Sequence, residues 1–102
     1  LISGNVVKID DNDLTIPNIG WFNLKKQNES QLLNNFKRHE LCFYFAHSFY
    51  CSLKNNIHKV ASIESKDKIT SVIEKNNIFG CQFHPEKSQK SGLKFLKNFC
   101  EL

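Results

Sequence analysis

The sequence of 102 residues is long enough for one small domain and too short for two. Hydrophobic residues make up 40% of it and charged residues 24%, which is typical of soluble globular proteins, and no apolar run approaches the roughly 18 residues that a membrane-spanning helix needs. The net charge is +4, but the lysines are scattered and do not alternate with aromatic residues. We therefore expect a mildly basic solvated surface rather than a nucleic-acid-binding one.

The first part of the chain predicts a β-hairpin. Residues 5–9 have the pattern of a short strand, residues 10–13 (Asp-Asp-Asn-Asp) that of a turn, and residues 14–16 that of a returning strand. Pro17 ends this strand. The following residues 18–21, Asn-Ile-Gly-Trp, are expected in a loop.

A short helix and a buried strand follow. Leu32, Leu33 and Phe36 recur at helical spacing, which predicts a helix over residues 29–36 with Asn28 as a possible cap. Residues 41–46 (Leu-Cys-Phe-Tyr-Phe-Ala) are almost continuously apolar. This pattern predicts a strand that is covered on both faces.

The remainder predicts three further strands, over residues 59–63, 69–73 and 78–83, and a C-terminal helix. Ser91 is a candidate cap for this helix. Its predicted packing face is formed by apolar residues at helical spacing, namely Leu93, Leu96 and Cys100, widened by Phe95 and Phe99. The chain thus reads as one strand-rich α/β unit, or part of one, with a terminal helix.

The cysteines do not have the spacing of a metal or redox motif. None of them forms a C-x-x-C pair, so a zinc knuckle or a thioredoxin-like motif is unsupported. Each lies in an apolar setting, which predicts buried free thiols and a reducing cytoplasmic location. We predict no metal ion and no cofactor. The cysteines are Cys42, Cys51, Cys81 and Cys100.

The most informative segment is His84-Pro85-Glu86, at the end of the last predicted strand. Pro85 biases His84 toward an extended conformation, and residues two apart in an extended chain project to the same side. The carboxylate of Glu86 can therefore orient the imidazole of His84 and stabilise its protonated form, as a base and its carboxylate do in a nucleophilic triad. The alternative is that His84 caps the end of the strand and Glu86 faces solvent, because the tripeptide alone is compatible with both interpretations.

The surrounding residues favour the catalytic interpretation. Residues 80–88 (Gly-Cys-Gln-Phe-His-Pro-Glu-Lys-Ser) resemble the C-terminal part of class I glutamine amidotransferases, above all the glutaminase subunits of imidazole glycerol phosphate synthases. Residues 16–21 (Ile-Pro-Asn-Ile-Gly-Trp) are similar to that family's "P-H-M/I-G-W" loop, and residues 44–49 (Tyr-Phe-Ala-His-Ser-Phe) to its "Y-F-V-H-S-Y" strand end. The three motifs occur in the family's order and cover nearly all of the chain.

The resemblance implies roles for individual residues. His84 would be the general base and acid of glutamine hydrolysis, with Glu86 orienting it. The backbone at Ser48 and Phe49 would hold the α-carboxylate and amino end of glutamine. Phe49 stands where the family usually has tyrosine, so only a role of the backbone is carried over.

The resemblance also implies a partner, a (β/α)8 barrel cyclase subunit that receives the ammonia. Trp21 is similar to the family's aromatic anchor in that interface, although a core tryptophan is the alternative. Further positions near the interface or the ammonia passage are matched by Ile19, Tyr44 and Lys87. Asn18 and Phe22 depart from the family's usual histidine and asparagine, so the resemblance implies no role for these two positions.

One part of the family pattern has no counterpart in these 102 residues. The family's nucleophile is a cysteine in a G-x-C-x-G elbow, and the sequence contains neither this elbow nor the glycine-rich oxyanion loop. Cys81 is a poor substitute, because it lies three residues before His84 on one strand and the two side chains would project to opposite faces. The chain does not begin with methionine and corresponds to the C-terminal half of such a subunit. We therefore expect a truncated or split gene product that is inactive, and unstable or prone to association, on its own.

Three alternatives remain open at this point. Asn18 and Phe22 are compatible with a paralogous amidotransferase that supplies ammonia for amidation of sugars in surface-polysaccharide biosynthesis. A remnant that keeps Trp21 and Lys87 could dock on a barrel subunit without chemistry. The third is a metal site built from the four histidines, whose spacing matches no known ligand pattern, namely His39, His47, His58 and His84.

Overall fold

The computed structural model describes residues 1–10 and 16–102. Within these residues, no helix has the length and hydropathy needed to cross a membrane. The regular elements in chain order are the strands β1 (Gly4–Lys8), β2 (Asn18–Lys26), β3 (Cys42–His47), β4 (Phe49–Leu53), β5 (Lys59–Ile63), β6 (Lys66–Lys75) and β7 (Ile78–Cys81), followed by the helix α1 (Gln89–Cys100).

The strands form two antiparallel sheets. Five of them pair in the order β3-β2-β5-β6-β7, and β1 pairs with β4, with Lys8 opposite Phe49. The predicted hairpin partner of the first strand, residues 14–16, falls mostly on residues 11–15, outside the described residues. The strand-rich arrangement with a C-terminal helix is confirmed.

The core joins β3, the segment after β7 and α1 through aromatic side chains. Phe43 and Phe83 stack with ring centroids 4.0 Å apart, and Phe45 meets Phe83 edge-on at 5.7 Å. Phe95 of α1 contacts Phe43 at 6.0 Å and Phe83 at 5.0 Å. Because aromatic pairs add roughly 0.5–1.5 kcal/mol each beyond their buried area, this cluster holds the end of β7 against the rest of the sheet.

Two strand predictions need correction. Only one face of β3 is fully covered: Phe43 and Phe45 are completely buried, whereas Cys42 and Tyr44 on the other face are half-buried. The segment around Trp21 is not a loop but the strand β2, which pairs with β3 on one side and β5 on the other. A proline and a glycine near the strand start suggest a loop, but the pairing of residues 18–23 with β3 overrides that local signal.

The helix predicted over residues 29–36 is also wrong. The structure has one 3-10 turn, Gln31–Leu33, whose cap is Ser30: its Oγ accepts the N–H of Leu32 at 3.1 Å. Asn28 is not a cap, and its side-chain amide donates to the carbonyls of Asn56 and Lys59. The apolar spacing in this segment reflects burial of Leu32 and Leu33 in the core rather than a helix.

The C-terminal helix begins at Gln89, and its N-cap position is Ser88 rather than Ser91. The hydroxyl of Ser91 donates instead to the carbonyl of Glu40 at 2.5 Å. The predicted packing face is wrong in part, since Phe95 is buried but three predicted members are 38–69% exposed, namely Leu93, Leu96 and Phe99.

Gly92 explains which face of α1 turns inward. A Cβ at this position would overlap the carbonyl oxygen of Pro85, so the helix can approach the His84-Pro85-Glu86 turn this closely only with glycine there. Phe95, one turn further on, then points into the aromatic core.

The cysteines are all unpaired, but the prediction that they are buried is wrong. Cys42 and Cys51 are half-buried, whereas Cys81 and Cys100 are exposed. The last two are the final residues of β7 and α1.

We expect Gly92→Ala to destabilise the fold by about 1–3 kcal/mol, because the added methyl group must displace the Pro85 carbonyl. In an unhindered helix the same change stabilises by roughly 0.5–1 kcal/mol, so the sign of the effect is diagnostic. The free energy of unfolding from a denaturant titration measures it, with the exposed Lys90→Ala as the control. Stabilisation by Gly92→Ala would contradict the close approach.

Candidate active site

The backbone of His84 lies between two strands of the sheet. The N–H of Gln82 donates to the carbonyl of Ser71 in β6 at 2.8 Å, which continues the pairing of β7 beyond its last residue. Two residues later the N–H of His84 donates to the carbonyl of Tyr44 in β3 at 2.9 Å. The segment therefore crosses from β6 to β3, and His84 sits at the crossing point.

Ser88 holds the segment around His84 against β3. Its side chain is 1% exposed, and its hydroxyl donates to the carbonyl of His84 at 2.7 Å while it accepts the N–H of Tyr44 at 2.9 Å. The residues between, Pro85–Lys87, form a 3-10 turn in which the N–H of Lys87 also donates to the His84 carbonyl. Sequence reasoning missed Ser88, because a serine after H-P-E-K gives no sign of where its hydroxyl points.

The structure brings His84 and Glu86 together. The backbone of His84 is extended, with φ −98° and ψ 98°, and its Nδ1 lies 3.3 Å from Oε2 of Glu86. Both side chains are partly open to solvent. An Nδ1 held by a carboxylate leaves Nε2 of the ring for proton transfer, which is the geometry of a base and its orienting acid.

The carboxyl group of Glu86 is stabilised as the anion. Its own backbone N–H, and then the hydrogen bond and charge of His84, hold the pKa of this exposed carboxyl below its ordinary value. At neutral pH Glu86 is therefore charged and able to accept the Nδ1–H of His84.

Cys81 is poorly suited to act as a nucleophile. Its sulfur is partly buried and donates to the carbonyl of Phe83 at 3.5 Å, although the residue as a whole lies at the surface. Desolvation, and then the negative charge of Glu86, raise the pKa of this thiol to about 11. Since the thiolate is the reactive form, such a thiol is almost entirely inactive near neutral pH.

The predicted substrate-binding residues form the corner between β3 and β4. The carbonyl of Ser48 accepts the N–H of Ile9 at 2.8 Å, and the carbonyl of Phe49 accepts Nδ1 of His47 at 2.8 Å. The side chain of Phe49 is 50% exposed. Both carbonyls of the corner are thus held by groups of the protein.

His47 at this corner belongs to a hydrogen-bonded chain of side chains that sequence reasoning did not identify. Its Nε2 lies 3.1 Å from Nδ2 of Asn18, and Oδ1 of Asn18 accepts from Nζ of Lys66 at 2.9 Å. Desolvation of the half-buried ring, assisted by the charge of Lys66, lowers the pKa of His47 below its ordinary value of 6.5.

Three of the four predicted interface residues share one face of the sheet. Trp21 lies opposite Tyr44 across the β2–β3 pair, with ring centroids 5.8 Å apart, and Ile19 lies opposite Ala46. Trp21 is 47% and Ile19 56% exposed, and the ring of Tyr44 lies 6.4 Å from that of His84. We call Ile19, Trp21 and Tyr44 the aromatic face; it is apolar, solvent-facing and adjacent to the histidine.

The fourth interface residue, Lys87, is exposed on the turn that follows His84. The histidines do not assemble into a metal centre: in residues 1–10 and 16–102 no group of three or more His, Cys, Asp or Glu side chains could hold a metal ion.

Comparison with known proteins decides the family. The pattern of the Glutamine amidotransferase class-I family matches residues 4–102. This chain belongs to the class-I glutamine amidotransferase family. The resemblance that the three sequence motifs predicted is confirmed.

Several relatives of this chain are named as the HisH subunit of imidazole glycerol phosphate synthase. The chain is 42% identical over 91 residues to imidazole glycerol phosphate synthase subunit HisH 2 of Nitrobacter winogradskyi. These residues make up 89% of this chain and 43% of that protein. It is 41% identical over 104 residues to the HisH subunit of Chlorobium chlorochromatii, and 39% identical over 102 residues to that of Methanocaldococcus jannaschii, in both cases over 100% of this chain. These matches cover 51% and 50% of the two proteins, so the amidotransferase chain spans about half the length of the relatives it matches.

The lowered pKa of His47 predicts a pH-dependent stability. The folded state favours the neutral ring, so His47 of the unfolded chain binds a proton at a higher pH than His47 of the folded chain. The free energy of unfolding therefore decreases as the pH falls from about 6.5 to the lowered pKa of His47. Denaturant titrations across this range measure the effect. We expect a His47→Asn variant, which cannot take up the proton, to lose less stability over the same range; an equal loss in both proteins would contradict it.

Proposed function

We propose that this chain supplies the histidine and the glutamate of a glutaminase site, in the subunit that provides ammonia to imidazole glycerol phosphate synthase for histidine biosynthesis. The observation that carries the proposal is the His84–Glu86 pair, with Nδ1 and Oε2 3.3 Å apart at the end of a paired strand. Membership of the class-I glutamine amidotransferase family and the names of the relatives support the substrate and the pathway.

The reaction then follows the pattern of an activated thiol. His84 Nε2 takes the proton of the cysteine thiol, the thiolate attacks the side-chain amide carbon of glutamine, and Nε2 then donates that proton to the ammonia that leaves. Water attacks the resulting glutamyl thioester while His84 takes a proton from it, and the cysteine regains this proton as glutamate is released. Glu86 holds the ring orientation through Nδ1 and stabilises the imidazolium in both steps.

The nucleophile comes from residues outside these 102. Burial raises the pKa of Cys42 as well as that of Cys81, and in the described part of the chain no cysteine forms a hydrogen bond with His84. The sequence also lacks the G-x-C-x-G elbow. The family's elbow cysteine, on the same or a second polypeptide, completes the triad, and this chain alone is inactive.

The substrate glutamine is held at the β3–β4 corner, by the backbone at Ser48 and Phe49. The change from the family's usual tyrosine to Phe49 does not remove such a contact, because a main-chain group needs no side-chain hydroxyl. The exposed ring of Phe49 provides an apolar wall beside the site.

The aromatic face, together with Lys87, is the docking surface for the (β/α)8 barrel cyclase. Large exposed aromatic side chains such as Trp21 are typical centres of protein interfaces. Because Tyr44 lies both on this face and beside His84, ammonia released at the histidine emerges at the interface with the acceptor subunit.

We expect His84→Ala, in the complete glutaminase bound to its cyclase, to lower kcat for glutamine hydrolysis by roughly 10³-fold or more, since removal of a triad base costs that much. Glu86→Gln keeps the size of the side chain but removes its charge, and should lower kcat less. The control is His58→Ala, at a 3-10 turn remote from the site. Release of glutamate measures the rate.

Two results of that assay would contradict the proposal. Wild-type rates in His84→Ala would exclude this histidine, and glutamine hydrolysis by the 102-residue chain alone would exclude an external nucleophile. Ammonia transfer to an activated sugar, but not to the substrate of the cyclase, would instead favour the surface-polysaccharide paralogue. Binding of the cyclase without any hydrolysis would favour a docking remnant.

We expect Trp21→Ala to weaken binding of the cyclase subunit by about 2 kcal/mol or more, which is roughly a 30-fold rise in Kd. Ile57→Ala is the matched control, because Ile57 is a 67% exposed apolar residue away from the aromatic face. Titration calorimetry gives both values. Equal Kd values for the two variants would place the interface elsewhere.

A further inference from the structure

We propose that His47 is a positioning residue of the glutamine site, set in one tautomer by Asn18 and Lys66 so that it holds the carbonyl of Phe49. This inference rests on the proposed function, because it concerns the corner at which glutamine is held. His47 itself would not touch the reacting atoms.

The direction of each hydrogen bond follows from Lys66. An ammonium group only donates, so the atom of Asn18 that meets Lys66 Nζ at 2.9 Å is the carbonyl oxygen of the amide. The amide nitrogen must then face His47, where it donates to Nε2 at 3.1 Å. With Nε2 as acceptor, the ring proton resides on Nδ1 and is donated to the carbonyl of Phe49 at 2.8 Å.

The surroundings of Asn18 leave it little freedom to turn over. Its side chain is 1% exposed, and burial of an amide without its partners costs free energy. Lys66 is itself held, since its Nζ lies 4.4 Å from the ring centre of Phe22. The tautomer of His47 is thus imposed by a buried amide and a fixed cation.

The sheet geometry shows what the Phe49 carbonyl would do without this contact. The N–H of Ile9 donates to Ser48, so this pair is a hydrogen-bonded one, and the next pair, Lys8 opposite Phe49, is not. The N–H and C=O of Phe49 therefore point away from β1. A glutamine carboxylate that approached Phe49 from the side opposite β1 would meet the N–H donor of Phe49. It would also meet the lone pairs of the Phe49 carbonyl oxygen, which repel an anion.

His47 removes that repulsion. Its Nδ1–H occupies the carbonyl oxygen, so the corner presents a donor to the substrate while the acceptor is covered. The contact also fixes the peptide plane between Phe49 and the next residue. Its loss should therefore weaken binding of glutamine more than it slows the chemistry at His84.

The test uses the complete glutaminase bound to its cyclase. His47→Ala removes the donor, and we expect it to raise KM for glutamine roughly tenfold or more, with kcat changed less than KM. His47→Asn places an amide N–H near the position of Nδ1, and we expect it to restore KM to within about threefold of the wild type. The control is Asn28→Ala, which removes a side chain that bonds the carbonyls of Asn56 and Lys59, away from the corner.

Each outcome decides the inference. A KM for His47→Ala within twofold of the wild type, or a KM for His47→Asn as high as that for His47→Ala, would overturn it while the proposed function stands. A wild-type enzyme without glutaminase activity would overturn both. If His47→Ala does not fold, nitrogen NMR of the wild-type ring decides: a proton on Nδ1 supports the inference, and a proton on Nε2 overturns it.

Discussion

The position of the histidine depends on one buried hydroxyl. Ser88 bridges the N–H of Tyr44 in β3 and the carbonyl of His84, and the N–H of His84 returns to the carbonyl of Tyr44. These contacts tie the end of β7 to the outer edge of β3. Removing the hydroxyl would take away the partner of the Tyr44 N–H and one partner of the His84 carbonyl, and would release the backbone that carries His84.

The neighbouring packing depends on the same bridge. Phe83 is directed into the aromatic core while His84, the next residue, is directed outward, as alternation along an extended chain requires. Gly92 lets α1 lie against the turn, and Phe95 then fills the space beside Phe83. The aromatic core, the glycine contact and the hydroxyl bridge together hold the imidazole where Glu86 can reach it.

The sequence allowed prediction of those features that depend on short-range chemistry. The strand at residues 59–63 and the His84–Glu86 contact both follow from local pattern, because strand preference and a proline constraint act within a few residues. The family was predictable from three motifs. The overall strand-rich arrangement was predictable as well.

The features that were missed depend on tertiary contacts that the local sequence pattern does not reveal. Trp21 lies on a strand because residues 18–23 pair with β3, although the local proline and glycine indicate a loop. The buried face of α1 is chosen by the contact of Gly92 with Pro85 rather than by the most apolar stripe. The series of side-chain hydrogen bonds from Lys66 through Asn18 to His47 joins residues up to 48 positions apart, and no sequence motif indicates it.

The central claim is that the Ser88 bridge positions His84 for glutamine hydrolysis, and kcat of a Ser88→Ala variant in the complete glutaminase tests it most directly. If the bridge positions the histidine, kcat should fall by about tenfold to a hundredfold, because small displacements of catalytic groups lower the rate by such factors. Ser65→Ala, at an exposed serine between β5 and β6, should leave kcat unchanged. An unaltered kcat in Ser88→Ala would contradict the claim.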